Sequence, residues 1–243
     1  MEEHGVTLNL EGVAAVLHRP LREYAALVHE LFGPAVRSLT LFGEAALPGF
    51  GPEKGAARNV LVVERIDLLV LKGLSERGLR LGKIGIAAPL LMTPGYVQAS
   101  RDTFPLELLE IQQFHRVLMG EDDFAGHSFE AAHVRLQCER ELKVLLMGLR
   151  QGLLASAGRE KVVTALSVEA AERLLRTIRG MLWLKGDKEP FTTDKVLEVI
   201  ERRTERTLRG VRAALDPAGQ HEWSAFEQLY GDVEALGECV NGW

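Results

Sequence analysis

The chain has 243 residues, of which 47% are hydrophobic and 26% are charged, a balance typical of a folded globular protein and not of a disordered one. The net charge of −5 argues against a general nucleic-acid binder, because such proteins present a basic surface to the phosphate backbone. No apolar run reaches the ~18 residues of a membrane span, and the acidic first residues do not resemble a signal peptide, so we expect a cytoplasmic protein without membrane contact.

Helix-like and strand-like patterns alternate in the first part of the chain. Apolar residues at helical spacing predict a helix over 20–32. Alternating apolar and polar residues then predict a strand over Val36–Phe42 that ends at Gly43. After a loop over 44–57 rich in glycine and proline, the apolar run Asn59–Val63 predicts a central strand buried on both faces. This order indicates a mixed sheet flanked by helices.

Four more elements are predicted in this part: a helix over 65–80, a strand over Ala87–Met92, a helix over Pro105–Gln113 and a strand over Phe114–Met119. In the first of them, Ile66 and Leu69 are expected to face the core. Pro89 places its strand at a sheet edge, because proline has no N–H to donate to a neighbouring strand. Thr93 and Pro94 are the residue types preferred at the N-cap and first position of a helix, which predicts a short helix ending near residue 100.

Strand patterns disappear in the second part of the chain. Amphipathic patterns predict long helices over 128–156, 160–184, 193–215 and 222–239. Ser224 and Glu227 have the spacing of a capping box at the start of the last one. Short connections between helices favour an antiparallel bundle. We therefore predict an α+β protein, with an α/β domain over 1–125 and an all-α bundle over 126–243.

Two segments of the α/β part carry a family resemblance. Leu41-Phe42-Gly43-Glu44 resembles the hydrophobic-Gly-Ser signature of nucleotidyltransferases of the polymerase-beta-like superfamily, and Ala57–Val63 stands where their Asp-x-Asp strand would be. The chain as a whole is similar to bacterial proteins that join such a domain to a helical bundle. The resemblance implies that family's fold and a reaction in which carboxylates hold two divalent metals against a triphosphate.

The residues at the motif positions depart from that chemistry. Ala57 has no ligand atom and Asn59 offers only a neutral oxygen, while Arg58 adds a cation between them. Glu44 replaces the serine and would repel a triphosphate. Because no acidic-x-acidic pair occurs nearby, we predict a non-catalytic protein with no metal and no cofactor, in which Gly43, Glu44, Ala57 and Asn59 are vestiges of a catalytic site.

A binding role is expected to use polar residues around the same place. The candidates are Gly43, Lys54, Arg58 and Asn59 in the α/β domain, and His133, Gln137 and Arg140 on one face of the first bundle helix. A small molecule or nucleotide between the domains is the expected ligand, although a solvated helix face without a function is the favoured explanation of the bundle residues. The two cysteines, Cys138 and Cys239, are expected to be free thiols.

Two other functions fit the same sequence. An active, magnesium-dependent nucleotidyltransferase would need displaced carboxylates, such as Glu44 with Glu107 or Glu110, acting on a small acceptor. A structural or regulatory subunit would instead bury apolar helix faces in a homodimer or against a partner protein.

Overall fold

The chain folds into two compact units. The structure, a computed structural model, describes residues 7–47, 49–51, 55–188, 192–216 and 223–243. The first unit comprises residues 1–101 and 108–128, and the second comprises 102–107 and 129–243. Thus a segment that the sequence assigns to the first domain, 102–107, groups with the helical unit. Among the described residues, no helix combines the length and apolar character needed to cross a membrane.

Strands and helices follow the predicted order. The strands are β1 Val36–Phe42, β2 Asn59–Val63, β3 Leu90–Met92 and β4 His115–Gly120. The helices up to β4 are α1 Ala15–Phe32, α2 Leu68–Ser75, α3 Gly78–Lys83, α4 Pro94–Ala99 and α5 Pro105–Gln113. Those after β4 are α6 Ala131–Ser156, α7 Glu160–Leu184, α8 Thr193–Thr204, α9 Arg209–Leu215 and α10 Trp223–Asn241. The mixed sheet followed by a helical region confirms the predicted fold class.

The sheet of the first unit has the order β3-β2-β1-β4. β1 runs antiparallel to both β2 and β4, whereas β2 and β3 are parallel. All five residues of β2 are buried, which confirms that it is an interior strand. The three-residue β3 forms one edge of the sheet, as Pro89 predicts. The pairing beside β2 extends to an isolated parallel bridge between Ala57 and Ile86.

Helix α1 covers one face of the sheet. Its buried residues recur at spacings of three and four: Leu17, Leu21, Tyr24, Ala25, Val28 and Phe32. They pack with Leu39, Leu41, Leu61 and Val63 of the central strands. The helix begins at Ala15, five residues earlier than predicted, with Pro20 inside it. Burial of Leu17 and Ala14 stabilises the first turn, although proline removes one backbone hydrogen bond.

The segment after β2 differs from the prediction. Instead of one helix over 65–80, α2 and α3 form, and Ile66 and Leu69 are 45% and 79% exposed. The Asp67 carboxylate accepts a hydrogen bond from the Leu69 N–H (2.8 Å), so α2 starts only at Leu68. This cap sets a rotation of the helix that buries Leu74 alone.

The second unit contains helices and connecting turns, and no strand, in its described part. α6 and α7 run antiparallel, since Cys138 donates to the Thr177 carbonyl and a Cβ at Gly152 would contact Leu166. The predicted single helix over 193–215 is interrupted at Glu205, whose φ of 54° ends α8. Ser224 lies inside α10, which begins at Trp223, so the predicted capping box is wrong.

Smaller predictions of local structure hold. Thr93 caps α4 by accepting from the Tyr96 N–H (3.2 Å), with Pro94 at the first helical position. Both cysteines are free thiols. Residues Pro48, 52–54, 189–191 and 217–222 lie outside the described part, and with them Lys54.

One buried hydroxyl in the sheet is unsatisfied, which gives a stability prediction. Thr40 of β1 is fully buried, and its Oγ1 has no hydrogen-bond partner among the described residues. We expect Thr40→Val to raise the free energy of unfolding by about 1 kcal/mol, because valine keeps the shape and removes the desolvated hydroxyl. Urea denaturation would measure this. Ser38→Ala is the control and should destabilise, because the buried Ser38 hydroxyl donates to Asp123 (2.7 Å). Equal losses in both variants would contradict the prediction.

Candidate functional site

Gly43 directly follows β1, in the turn formed by the motif Leu41-Phe42-Gly43-Glu44. Its φ of 67° lies in the left-handed region that favours glycine. Its N–H donates to the Phe114 carbonyl (2.8 Å), which fixes the turn against the end of α5. A single 3₁₀ turn, Gly43–Ala46, follows and contains the half-buried Glu44. The motif thus forms a tight turn at the end of a buried strand.

Ala57 and Asn59 point toward α1, and both lie in the core. They are 0% and 1% exposed, and they share one face of the chain with Leu61 because alternate strand residues do so. The backbone of Ala57 is also engaged: its N–H donates to the Gly85 carbonyl (2.7 Å), and its carbonyl accepts from the Ala87 N–H (3.0 Å). Neither motif position therefore opens to solvent.

The amide of Asn59 is held by three hydrogen bonds. Its Oδ1 accepts from the Tyr24 hydroxyl (2.9 Å), and its Nδ2 donates to the carbonyls of Ala87 (2.9 Å) and Ala57 (3.3 Å). Burial raises the pKa of Tyr24, which keeps the hydroxyl protonated as the donor. Asn59 thus bonds α1, β2 and the segment before β3 through one side chain.

Arg58 lies between these two residues and points away from α1. Its guanidinium donates to both carboxylate oxygens of Glu110, at 2.6 and 3.0 Å. It also stacks on the Phe42 ring, 4.4 Å from the centroid. The Glu110 side chain is only 10% exposed, whereas that of Arg58 is 42% exposed. A bidentate pair of this kind is strong and fixed in direction, so Arg58 is a placed cation with one open side.

Comparison with solved structures gives the fold. The crystal structure of spectinomycin adenyltransferase AAD(9) from Enterococcus faecialis, with ATP and spectinomycin, matches with a TM-score of 0.58 over 92% of this chain and 99% of that one. The chain has the nucleotidyltransferase fold. The identity between the two sequences is 10%, so this likeness concerns the fold alone. No protein-family model and no curated protein sequence matches the chain.

Metal-ligating side chains are not clustered in the described part of this nucleotidyltransferase fold. No group of three or more His, Cys, Asp or Glu residues is placed to hold a metal ion there. Glu110 is bound to Arg58. Glu107 accepts from Gln137 (2.8 Å) and from Arg176 (3.1 Å).

The three bundle candidates have different environments. His133 is half-buried and Arg140 is exposed, whereas Gln137 is 4% exposed. The Gln137 side chain accepts from the Leu106 N–H (2.8 Å), one of the backbone groups that a helix start leaves without an intrahelical partner. Gln137 therefore anchors the beginning of α5, and the sequence gives no sign of this role.

Sequence reasoning did not find the pairing of two residues at the site: Tyr24 was expected only in the core, and Glu110 only as a displaced metal ligand of the active-enzyme alternative. Tyr24 is separated from Asn59 by 35 positions, and Glu110 from Arg58 by 52. A periodic apolar pattern marks Tyr24 only as a core residue. The pairs Tyr24–Asn59 and Arg58–Glu110 can be identified only once the positions of α1 and α5 relative to the strands are known.

The ion pair gives a measurable coupling. We expect Arg58→Met and Glu110→Gln to show a coupling energy of about 1–2 kcal/mol in a double-mutant cycle of unfolding free energies, because Glu110 is mostly buried. The control cycle is Lys195 with Glu198, where both side chains are about half exposed and we expect at most about 0.5 kcal/mol. Additive losses at Arg58 and Glu110 would contradict this account of the site.

Placing an acid at position 59, the second motif position, tests the hydrogen-bonded packing of the Asn59 side chain. We expect Asn59→Asp to lower the free energy of unfolding by about 2–4 kcal/mol at pH 7, because a buried carboxylate would face two carbonyl oxygens. The loss should shrink at pH 5, where a protonated acid can donate. Asn9→Asp is the matched control, since Asn9 is exposed, and it should change stability little. Similar losses at both positions would count against the packing described here.

Proposed function

We propose that the chain is a non-catalytic protein of the nucleotidyltransferase fold, which binds a small molecule, nucleotide or partner protein without transferring a nucleotidyl group. The observation that carries this proposal is the way in which Ala57 and Asn59, the residues at the two motif positions, are used inside the fold. Ala57 is packed in the core, and every polar atom of the Asn59 amide takes part in a hydrogen bond inside the unit. Nothing on that strand is left to hold a metal.

The chemistry of the donor set supports the same view. Magnesium prefers anionic oxygens in octahedral geometry, and two-metal transfer needs carboxylates that reach both ions. Between Ala57 and Asn59 the chain places a cation, Arg58, which is paired with Glu110. A guanidinium there repels divalent metals. The residues present therefore do not fit a magnesium pair.

The partly exposed guanidinium of Arg58 indicates the chemical class of the ligand. A fixed cation next to the glycine turn favours an anionic group, and a Cβ at Gly43 would be in contact with Nη1 of Arg58, 3.5 Å away, so the guanidinium lies directly beside the turn. The neighbour AAD(9) was solved with ATP and spectinomycin. We extend from it only the class of ligand, a nucleotide or small molecule. Binding without a metal and a cytoplasmic location are further parts of our proposal and do not come from that neighbour. His133 and Arg140 remain predicted contacts.

The active-enzyme alternative needs carboxylates elsewhere. Glu107 and Glu110 are both engaged with arginines, and no three-residue metal-binding group occurs in the described ranges. These observations favour the non-catalytic function over the alternative.

A transfer assay separates the two functions. We expect the protein, mixed with magnesium or manganese and the four nucleoside triphosphates, to release no pyrophosphate above a protein-free control, because the transferring metals have no ligands. Metal-dependent release that disappears in Glu44→Gln or Glu110→Gln would establish the alternative and end this proposal.

A binding assay tests the proposal that the protein binds a nucleotide. A nucleotide at 100 times its dissociation constant should stabilise the fold by about 2.7 kcal/mol, visible as a thermal shift without metal. Arg58→Met should abolish the shift, whereas Lys195→Met should keep it. A shift that requires magnesium would count against a metal-free site.

A further inference from the structure

Helices α2 and α3 expose leucines on their outer sides. Leu68, Leu69 and Leu79 are 76%, 79% and 87% exposed, although leucine is among the residue types most often buried. The same helices bury Leu74 and Leu81 in the core cluster around α1. Because both helices pack on this one cluster, their opposite sides face solvent, and the exposed leucines lie there. Neighbouring exposed leucines are a feature of binding surfaces.

Exposed cations lie beside these leucines. Lys72 follows Leu68 by four residues and Leu69 by three, so the three side chains share one side of α2. In α3, Lys83 follows Leu79 by four residues and shares its side in the same way. Together with the exposed arginine between the helices, these residues form what we call the α2–α3 surface: Leu68, Leu69, Leu79, Lys72, Arg77 and Lys83.

The positive charge of the α2–α3 surface is not compensated within the part of the chain that the structure describes. None of its three cations forms an ion pair there. Two acids of the same segment are engaged: Glu64 pairs with Arg37 (3.6 Å), and Asp67 caps α2. Glu76 is thus the remaining acid beside three cations. Since the whole chain has a net charge of −5, this surface has the opposite sign to the chain.

Charge and apolar area together indicate the chemistry of the partner. Cations around exposed leucines match a partner that has negative charge above an apolar layer. A second copy of the chain in a twofold contact would bring the same positive surface and be repelled. Protein interfaces are generally enriched in aromatic residues and depleted in lysine, whereas this surface has two lysines and no aromatic residue.

A lipid bilayer with anionic headgroups has the required chemistry. Leucines on one side of a helix, with lysines and arginines around them, are the composition of helices that lie in the bilayer interface. Leucines that project this far from the fold need a complementary pocket in a protein partner, but they need none in the fluid outer part of a bilayer. The long stems of lysine and arginine let their charges reach the lipid phosphates while the leucines are buried.

We propose that the α2–α3 surface binds the surface of an anionic lipid bilayer. The three leucines enter the boundary between headgroups and acyl chains, and Lys72, Arg77 and Lys83 contact the phosphates. This function is separate from the proposed ligand binding, because no residue of the motif site takes part in it. It replaces the expectation of no membrane contact, which was based on the lack of a spanning segment; contact at the surface needs only a few exposed side chains.

Sedimentation with lipid vesicles tests this proposal on the full chain. Vesicles of phosphatidylcholine and phosphatidylglycerol in equal amounts should bind the protein about tenfold or more tightly than vesicles of phosphatidylcholine alone, because each cation near an anionic surface contributes about fivefold. Added salt should reduce the difference. Equal binding to both kinds of vesicle, or binding to neither, would overturn the proposal; in the second case an acidic protein would be the partner to seek.

Two pairs of variants assign the binding to the α2–α3 surface. Leu79→Ser should weaken binding to the anionic vesicles about tenfold, because it removes one buried leucine side chain. Leu154→Ser is the matched control, since Leu154 of α6 is 82% exposed and lies outside the surface. Lys72→Glu should also weaken binding, whereas Lys161→Glu, at an exposed lysine of α7, should not.

Thermal melting separates lost binding from lost folding. All four side chains are exposed, so the four variants should melt within a few degrees of the parent protein. Equal binding by Leu79→Ser and Leu154→Ser, with the fold intact in both, would overturn the assignment to this surface.

Discussion

The buried amide of Asn59 is the constraint on which the first unit depends. A polar group in the core is tolerated only when its donors and acceptors are paired, and this amide meets that condition with partners from three places in the chain. It bonds the Tyr24 hydroxyl of α1 to β2, and it bonds β2 to Ala87 in the segment that leads into β3. Asn59 thus serves the stability of the sheet.

Arg58 is held on the other face of the same segment. A nearly buried carboxylate and an aromatic ring are its partners. Packing on one face and charge pairing on the other use the same three residues, Ala57 to Asn59. A substitution in this segment therefore also disturbs contacts made by α1 and α5.

Local patterns in the sequence were sufficient for most of the elements. Continuous apolar residues marked β2 as interior, and Pro89 marked β3 as an edge, because these features act within a few residues. The errors arose where a single polar side chain decided the outcome. The Asp67 cap rotated α2 and exposed Leu69, and Glu205 in a left-handed conformation divided the predicted helix over 193–215. For the site, the motif positions were readable, but the partners of Arg58 and Asn59 were too distant in sequence to infer.

The chain passes between the two compact units three times, at 101/102, 107/108 and 128/129. A single cut cannot release either unit intact, because a fragment ending at 128 keeps the segment 102–107 but loses Gln137, which accepts the Leu106 N–H. The same fragment would expose Leu106, which is 1% exposed in the whole chain. Cleavage in the loop after β4 would consequently leave an N-terminal piece that still carries segment 102–107 of the second unit without the helices that this segment packs with.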